Sequence, residues 1–270
     1  MSDVRPERRA VPRTGIPLRA VVPNAVTALA LCVGLSGVRF AIAAEWESAI
    51  MMIIAAAVLD GMDGRIARAL RGQTRFGAEL DSLSDVIAFG VSPAIILYLW
   101  CLQSWPRFGW LFAIAYAACM ALRLARFNAR IDALDQPHKS AGFLTGVPAP
   151  VGAGLMLLPM FLWIASDRQW AWLNDYRLIA PWAAFVAFLL ISSVATFSWG
   201  SLRLRRHVRL EAIVVIALTG AALITAPWET LSVVALGYLA LIPLSMLSYA
   251  RVKRQRAAAA PQPPASPARP

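Results

Sequence analysis

The chain has 270 residues, of which 59% are hydrophobic and only 15% are charged. Soluble domains carry about a quarter charged residues, so this composition excludes a soluble protein and indicates an integral membrane protein. The formal net charge is +11. In a membrane chain such an excess reflects topology and attraction to anionic lipid head groups, and we expect no nucleic-acid partner.

Apolar runs long enough to span a bilayer, roughly 17–25 residues, recur along the whole chain. We therefore predict an all-α, polytopic membrane protein with about eight transmembrane helices. The transmembrane domain covers residues 21–250, after a basic segment at 1–20. The tail at 251–270 is rich in alanine and proline, which predicts disorder. The eight predicted spans are 24–43, 47–70, 79–102, 107–128, 146–165, 178–199, 209–226 and 229–249.

The basic residues alternate between the two sides of this arrangement. Five precede the first span, four lie in each of the connections 64–78, 123–142 and 200–209, and five lie in the tail. The opposite side keeps only Arg107, Arg168 and Arg177. By the positive-inside rule both termini face the cytoplasm, as does the connection after the second span.

Four aspartates flank that connection. Asp60 and Asp63 close the second span, and Asp81 and Asp85 open the third. Residues three or four apart share a helix face, so each pair projects to one side. Carboxylates at a membrane boundary need a cation or a buried partner. Because no histidine or cysteine accompanies them, they indicate a site for two hard cations, Mg²⁺ or Mn²⁺, of the kind that holds phosphates.

The residues between the aspartate pairs suit a phosphate ligand. Gly64 and Ala67 leave room for a bulky planar group or for close helix packing. Arg68 adds a forked cation that suits a phosphate. Gly77 allows a turn or the close approach of another backbone.

The full pattern, D-x2-D-G-x2-A-R-x8-G-x3-D-x3-D from Asp60 to Asp85, resembles the signature of the CDP-alcohol phosphatidyltransferases. The resemblance implies that family's fold and its reaction, in which an alcohol attacks the diphosphate of a CDP-activated lipid and releases CMP. It further implies that the four aspartates ligate the metals and that Asp85 also acts as the base. The implied contacts to the CDP-lipid come from Asp60, Gly64, Ala67, Arg68 and Gly77.

Further stretches are similar to the membrane-embedded phosphatidylserine synthases of bacteria. They are PNAVTALALCVGLSG at 23–37, RFGAELDSLSDVIAFGVSPA at 75–94, ALRLARFN at 121–128 and GFLTGVPAPVGAG at 142–154. This resemblance implies CDP-diacylglycerol and L-serine as substrates, a homodimer, and a multi-pass protein of the bacterial inner membrane whose active site is cytoplasmic. One departure is Pro148-Ala149-Pro150-Val151, where the related motif often reads P-S-P-A.

The basic end of the fourth span supplies candidate residues for the acceptor. Arg123, Arg126 and Arg130 follow one helix face, Asn128 can donate or accept a hydrogen bond, and Lys139 lies in the next connection. These cations suit the carboxylate of serine. They equally suit an acceptor that already carries a phosphate, such as glycerol 3-phosphate or inositol phosphate, and choline is a further alternative within the same mechanism.

Two other classes of membrane protein also use acidic residues. An aromatic prenyltransferase separates its acidic motifs by several helices, whereas here they flank one short connection. A cation transporter carries acids near the bilayer midplane, whereas these lie near span ends on one side. Both alternatives fit the sequence less well than a phosphatidyltransferase does.

Overall fold

The computed structural model describes residues 18–129, 143–192, 195–197 and 208–259. A π-helical turn at Val86–Val91 joins two helices, and single 3₁₀ turns lie at Leu102–Ser104 and Ala171–Asn174. Within the described ranges the α-helices are α1 (Leu18–Ile42), α2 (Trp46–Ala69), α3 (Arg75–Asp85), α4 (Ser92–Trp100), α5 (Gly109–Ala129), α6 (Ala149–Ala165), α7 (Tyr176–Ile191), α8 (Val208–Thr225) and α9 (Pro227–Ala259).

The helices match the eight predicted spans, because α3, the π turn and α4 form one continuous helix over Arg75–Trp100. That helix, Val21–Ile42 and Gly109–Ala129 are long and apolar enough to cross a membrane, and shorter apolar helices accompany them. The predicted all-α, polytopic membrane class is confirmed. An integral membrane protein of this kind leaves apolar side chains exposed to lipid, as α8 does with Val214, Val215, Ile216, Leu218 and Ile224.

Three boundaries differ from the prediction. The sixth predicted span reaches residue 199, but α7 ends at Ile191 and residues 195–197 form a short strand. Helix α1 begins at Leu18, before the first predicted span at 24–43, so Pro23 lies inside a continuous helix. Helix α9 continues to Ala259, which makes the prediction of a disordered tail wrong for residues 251–259. Arginine, lysine, glutamine and alanine dominate that stretch, and all four have high helix propensity.

A short two-stranded ladder was not predicted. The strand β1 (Phe143–Thr145) pairs antiparallel with β2 (Ala195–Phe197), with Leu144 opposite Thr196. It joins the chain just before α6 to the chain just after α7. Segments of three residues carry too little alternation to be recognised as strands.

Helix α6 forms the centre of the core. Its side chains are buried along nearly its whole length, and it contacts α2, α4, α7, α9 and the π turn. A helix that is apolar on all sides needs such an enclosed position. Helices α2, α4, α7 and α9 therefore enclose α6.

Helix α1 joins the two helices that carry the aspartates. It packs along α2 and also contacts α3 and the π turn, whereas α2 and α3 have little direct contact with each other. A Cβ added at Gly34 would lie 2.8 Å from the Cβ of Ala88, and one added at Gly37 would lie 2.9 Å from the carbonyl oxygen of Ala49. These close approaches hold α1 tightly against both neighbours.

The π turn directly follows Asp85 and is held by a buried tyrosine. Tyr116 of α5 has no exposed surface, and its hydroxyl donates a hydrogen bond of 2.9 Å to the carbonyl oxygen of Phe89. A π turn disturbs the regular helical hydrogen bonds and often occurs at functional sites. Tyr116 supplies a donor to a backbone carbonyl of this turn.

Replacing Tyr116 by phenylalanine should destabilise the protein. The change leaves the Phe89 carbonyl buried without its donor, which costs about 1–3 kcal/mol. We expect a lower thermal unfolding temperature in detergent. Tyr98→Phe is the matched control, because the Tyr98 ring packs edge-on against Trp110 and its hydroxyl makes no hydrogen bond among the described residues. An equal unfolding temperature in the two variants would contradict this role of Tyr116.

Candidate active site

Three of the predicted metal ligands come together in the structure. Asp60 and Asp63 of α2 and Asp81 of α3 each offer a carboxylate oxygen, and these oxygens lie within 4.8 Å of one another. Asp63 lies six residues before the end of α2 and Asp81 six residues after the start of α3. At 1.5 Å per residue both lie about 9 Å from the helix ends. The predicted meeting of the two acidic span ends is confirmed.

The donor set suits a hard divalent cation. All three side chains offer only oxygen, which Mg²⁺ and Mn²⁺ prefer. Asp63 is only 5% exposed, and the other two are half-buried. Among the described residues the one ion pair joins Arg168 to Glu47, away from this group. Three carboxylates this close repel one another unless a cation or protons neutralise them.

Asp85 lies beside the three-aspartate group but is not part of it. Its carboxyl group is within hydrogen-bonding range of that of Asp60. In the described part of the chain its Oδ1 atom is buried without a hydrogen-bond partner. The charge of Arg123 also interacts with it. Asp85 therefore interacts both with the metal-binding group and with a cation of α5.

Arg123 is the partly buried cation of the site. It belongs to α5, and its charge interacts with Asp85, Tyr116 and Tyr238. Its Nε and Nη1 atoms are buried, and no described residue accepts a hydrogen bond from them. Buried guanidinium donors without an acceptor are costly. The N–H groups on these two nitrogens suit an anion that enters the site, such as a carboxylate or a phosphate.

The other predicted acceptor residues have different surroundings. Arg126 is exposed, and its Nη1 donates a 2.8 Å hydrogen bond to the carbonyl oxygen of Ile191 at the end of α7. Asn128 bonds to Ser82 of α3, with Nδ2 2.9 Å from the Ser82 Oγ. Lys139 lies outside the described residues. Of this set, Arg123 is the residue whose charge interacts with Asp85.

The predicted CDP-lipid residues fall into two groups. A Cβ added at Gly64 would meet nothing within 4 Å, Ala67 is half-buried, and Arg68 is exposed. These three line an open side of α2. Gly77 is instead tightly packed, since a Cβ there would lie 2.8 Å from the Oδ1 atom of Asn24 in α1. The close approach of α1 explains the glycine at this position.

Thr27 of α1 is the contact that the sequence analysis missed. Its hydroxyl lies 2.6 Å from Oδ2 of Asp63, and its backbone carbonyl accepts a 3.3 Å hydrogen bond from Ser84 of α3. Ser84 and Thr27 are each 4% exposed. A polar residue inside an apolar span is a signal of function in membrane proteins, and it was available here.

Comparison with known proteins agrees with this geometry. The model of the CDP-alcohol phosphatidyltransferase family matches residues 20–190, and a second model, CDP-alcohol phosphatidyltransferase 2, matches residues 207–243. The chain thus belongs to the CDP-alcohol phosphatidyltransferase family, and it is an enzyme of phosphatidyl transfer in phospholipid synthesis.

Individual relatives share a more specific name. A protein of Mycobacterium tuberculosis named CDP-diacylglycerol–serine O-phosphatidyltransferase is 37% identical over 236 residues, which cover 87% of this chain and 81% of the relative. Proteins of the same name from Helicobacter pylori and Methanocaldococcus jannaschii are 32% and 34% identical over 64% and 53% of this chain, and over 70% and 60% of their own lengths. The resemblance to phosphatidylserine synthases is thereby confirmed.

Proposed function

We propose that this enzyme transfers the phosphatidyl group of CDP-diacylglycerol to L-serine, giving phosphatidylserine and CMP. The observation that carries the proposal is the partly buried cation Arg123, whose charge interacts with Asp85 beside the three-aspartate group. One site then holds a place for the metals and the diphosphate, a base, and a partner for the carboxylate of serine. The shared name of the relatives supports serine as the acceptor.

Asp60, Asp63 and Asp81 would hold the divalent ions, with Asp85 as a further ligand from α3. Two Mg²⁺ or Mn²⁺ ions bound there would neutralise the diphosphate and stabilise the leaving CMP. The open side of α2 formed by Gly64, Ala67 and Arg68 would receive the nucleotide. In this proposal Asp60 and Gly77 also border the CDP-lipid.

The chemical step is a direct displacement at phosphorus. The hydroxyl oxygen of serine forms a bond to the β-phosphorus, and the bond from that phosphorus to the oxygen of CMP breaks. The proton of the hydroxyl passes to Asp85, and CMP leaves with the bonding electron pair. A carboxylate acts as such a base when it lies within hydrogen-bond reach of the proton. The buried Oδ1 of Asp85 has no competing partner among the described residues.

The acceptor would be held by its charged groups. Arg123 carries buried N–H groups that have no acceptor among the described residues, and a charge-assisted hydrogen bond from them would hold the serine carboxylate. Lys139, Arg126 and Asn128 remain proposed contributors to this side of the site. In the described residues the last two bond to Ile191 and Ser82, so we assign the main role to Arg123.

The charge pattern supports a place in the bacterial inner membrane. We propose a multi-pass protein whose catalytic domain is the bundle at 21–250 and whose termini and active site face the cytoplasm. A lipid would then enter sideways from the bilayer, and serine would arrive from water. We also propose a homodimer, as the family resemblance implies.

CMP release by the purified enzyme in detergent tests this function. The enzyme receives CDP-diacylglycerol and Mn²⁺ or Mg²⁺, and serine, glycerol 3-phosphate, inositol phosphate and choline are offered one at a time. We expect release with serine alone. Release with another alcohol would overturn serine as the acceptor, whereas no metal-dependent release with any of them would overturn the proposed metal site.

Arg123→Gln should raise the KM for serine by about 10- to 100-fold, because a hydrogen bond to a charged group contributes about 1.5–3 kcal/mol. The KM for CDP-diacylglycerol should change much less. Arg126→Gln is the matched comparison, since Arg126 lies one turn further on and bonds to the Ile191 carbonyl. Steady-state kinetics in both substrates measure the effect. Equal changes in the KM for serine in the two variants would exclude a special role of Arg123.

A further inference from the structure

We propose that Thr27 is a positioning residue that orients the carboxylate of Asp63 for the metal and fixes α3 relative to α2. This inference rests on the metal site proposed above. It assigns a role to the first-span segment Pro23–Thr27, which the function described so far does not use. The inference comes from three sets of contacts made by α1.

The first contact is the hydrogen bond to Asp63. The Thr27 Oγ1 atom lies 2.6 Å from Asp63 Oδ2 and 3.1 Å from the carbonyl oxygen of Pro23. A hydroxyl carries one proton, so it donates to one of these acceptors at a time. The carboxylate is the stronger acceptor and makes the shorter contact. The bond holds one oxygen of Asp63 and thereby fixes the plane of its carboxylate.

The second contact reaches the other aspartate-bearing helix. Ser84 stands between Asp81 and Asp85, and its hydroxyl donates to the backbone carbonyl of Thr27 at 3.3 Å. A single residue of α1 therefore bonds to a predicted metal ligand of α2 and to the segment of α3 that carries the other two aspartates. Direct contact between α2 and α3 is slight, so this link through α1 sets their separation.

The third set of contacts prevents α1 from sliding. Gly34 and Gly37 allow backbone approach to Ala88 and Ala49, and at the other end Asn24 contacts Gly77. Any side chain added at these glycines would meet an atom within 3 Å. Thr27 is thus held at a fixed depth beside Asp63. A fixed donor outside the metal ligands is the arrangement that raises the affinity of a metal site.

The test compares the metal response of Thr27→Val and Thr27→Ala, which lack the hydroxyl, with that of Thr27→Ser, which retains it. Loss of a bond to a metal ligand typically lowers metal affinity by about 10- to 100-fold. We expect the Mn²⁺ concentration needed for half-maximal thermal stabilisation of the detergent-solubilised protein to rise by that factor in both hydroxyl-free variants. Thr27→Ser should respond as the unchanged protein does. The Mn²⁺ dependence of CMP release should shift in parallel, with the KM for serine unchanged.

Thr230→Val is the matched control, because the Thr230 hydroxyl donates to the carbonyl oxygen of Ala226, the residue just before α9, and to no other group among the described residues. It should leave the Mn²⁺ response unchanged. An unchanged response in either hydroxyl-free Thr27 variant would overturn the positioning role, as would an equal loss in Thr27→Ser. If the unchanged protein itself is not stabilised by Mn²⁺ and releases CMP without metal, the proposed metal site fails, which is a different outcome.

Discussion

Replacing Asp85 by asparagine is expected to lower phosphatidyl transfer by about 10²- to 10⁴-fold, the usual contribution of a general base. The amide has the shape of the carboxylate and can keep a hydrogen bond to Asp60, but it does not accept the proton of the incoming hydroxyl. Asp85 lies outside the three-aspartate group, so CDP-lipid binding should be largely retained. Single-turnover CMP release measures the first effect, and binding of radiolabelled CDP-diacylglycerol measures the second.

Glu79→Gln provides the matched control for this substitution. Glu79 lies on the same helix, its side chain is exposed, and the change also replaces a carboxylate by an amide. Its turnover should equal that of the unchanged enzyme. Retained turnover in Asp85→Asn would remove the role of Asp85 as the base, whatever the outcome at Glu79.

The neighbours of Asp85 explain why it suits this role. Its Oδ1 atom is buried and, in the described residues, unpartnered, and its carboxyl group interacts with both Asp60 and Arg123. The base is thus next to the residue that we assign to the serine carboxylate. The π turn that follows Asp85 is held by Tyr116, which also lies close to Arg123. Displacing this turn should therefore disturb the base and the acceptor residue together.

The sequence predicted the spans and the aspartate group because both follow from local patterns. Apolar runs of spanning length define the helices. The spacing from Asp60 to Asp85 places one acidic helix face before a short connection and a second acidic face after it, and the short connection brings the two faces together. The meeting of Asp60, Asp63 and Asp81 needed no information beyond this.

The contacts between distant segments could not be predicted in the same way. The bond from Thr27 to Asp63 joins residues 36 positions apart, and the bond from Asn128 to Ser82 joins residues 46 apart. Helical spacing predicts Arg126, and hydrogen-bonding capacity predicts Asn128, as residues that bind the acceptor. Spacing gives the face of a residue on its own helix, but the rotation of α5 against α3 and α7 decides which side chains find partners. This rotation leaves Arg126 exposed and bonded to Ile191, and it buries the Nε and Nη1 atoms of Arg123.

Removing the metal is expected to have an effect as large as that of the Asp85 substitution. Chelation with EDTA should lower CMP release by more than about 10³-fold, since bound divalent ions contribute several kcal/mol to stabilising charge in the transition state. Mn²⁺ or Mg²⁺ added back should restore it. Asp81→Asn should raise the metal concentration needed for half-maximal activity and for thermal stabilisation, because one of three converging charges is lost.

Asp167→Asn is the control for Asp81→Asn. Asp167 is exposed in the turn after α6, away from the three-aspartate group, and its φ of 49° is one that asparagine adopts readily. The two aspartate variants of the site should also differ from each other. Excess Mn²⁺ should restore part of the activity of Asp81→Asn by mass action, but none of that of Asp85→Asn, because added metal does not replace a proton acceptor. Equal rescue of both would mean that Asp85 acts only as a metal ligand and that the base is another group.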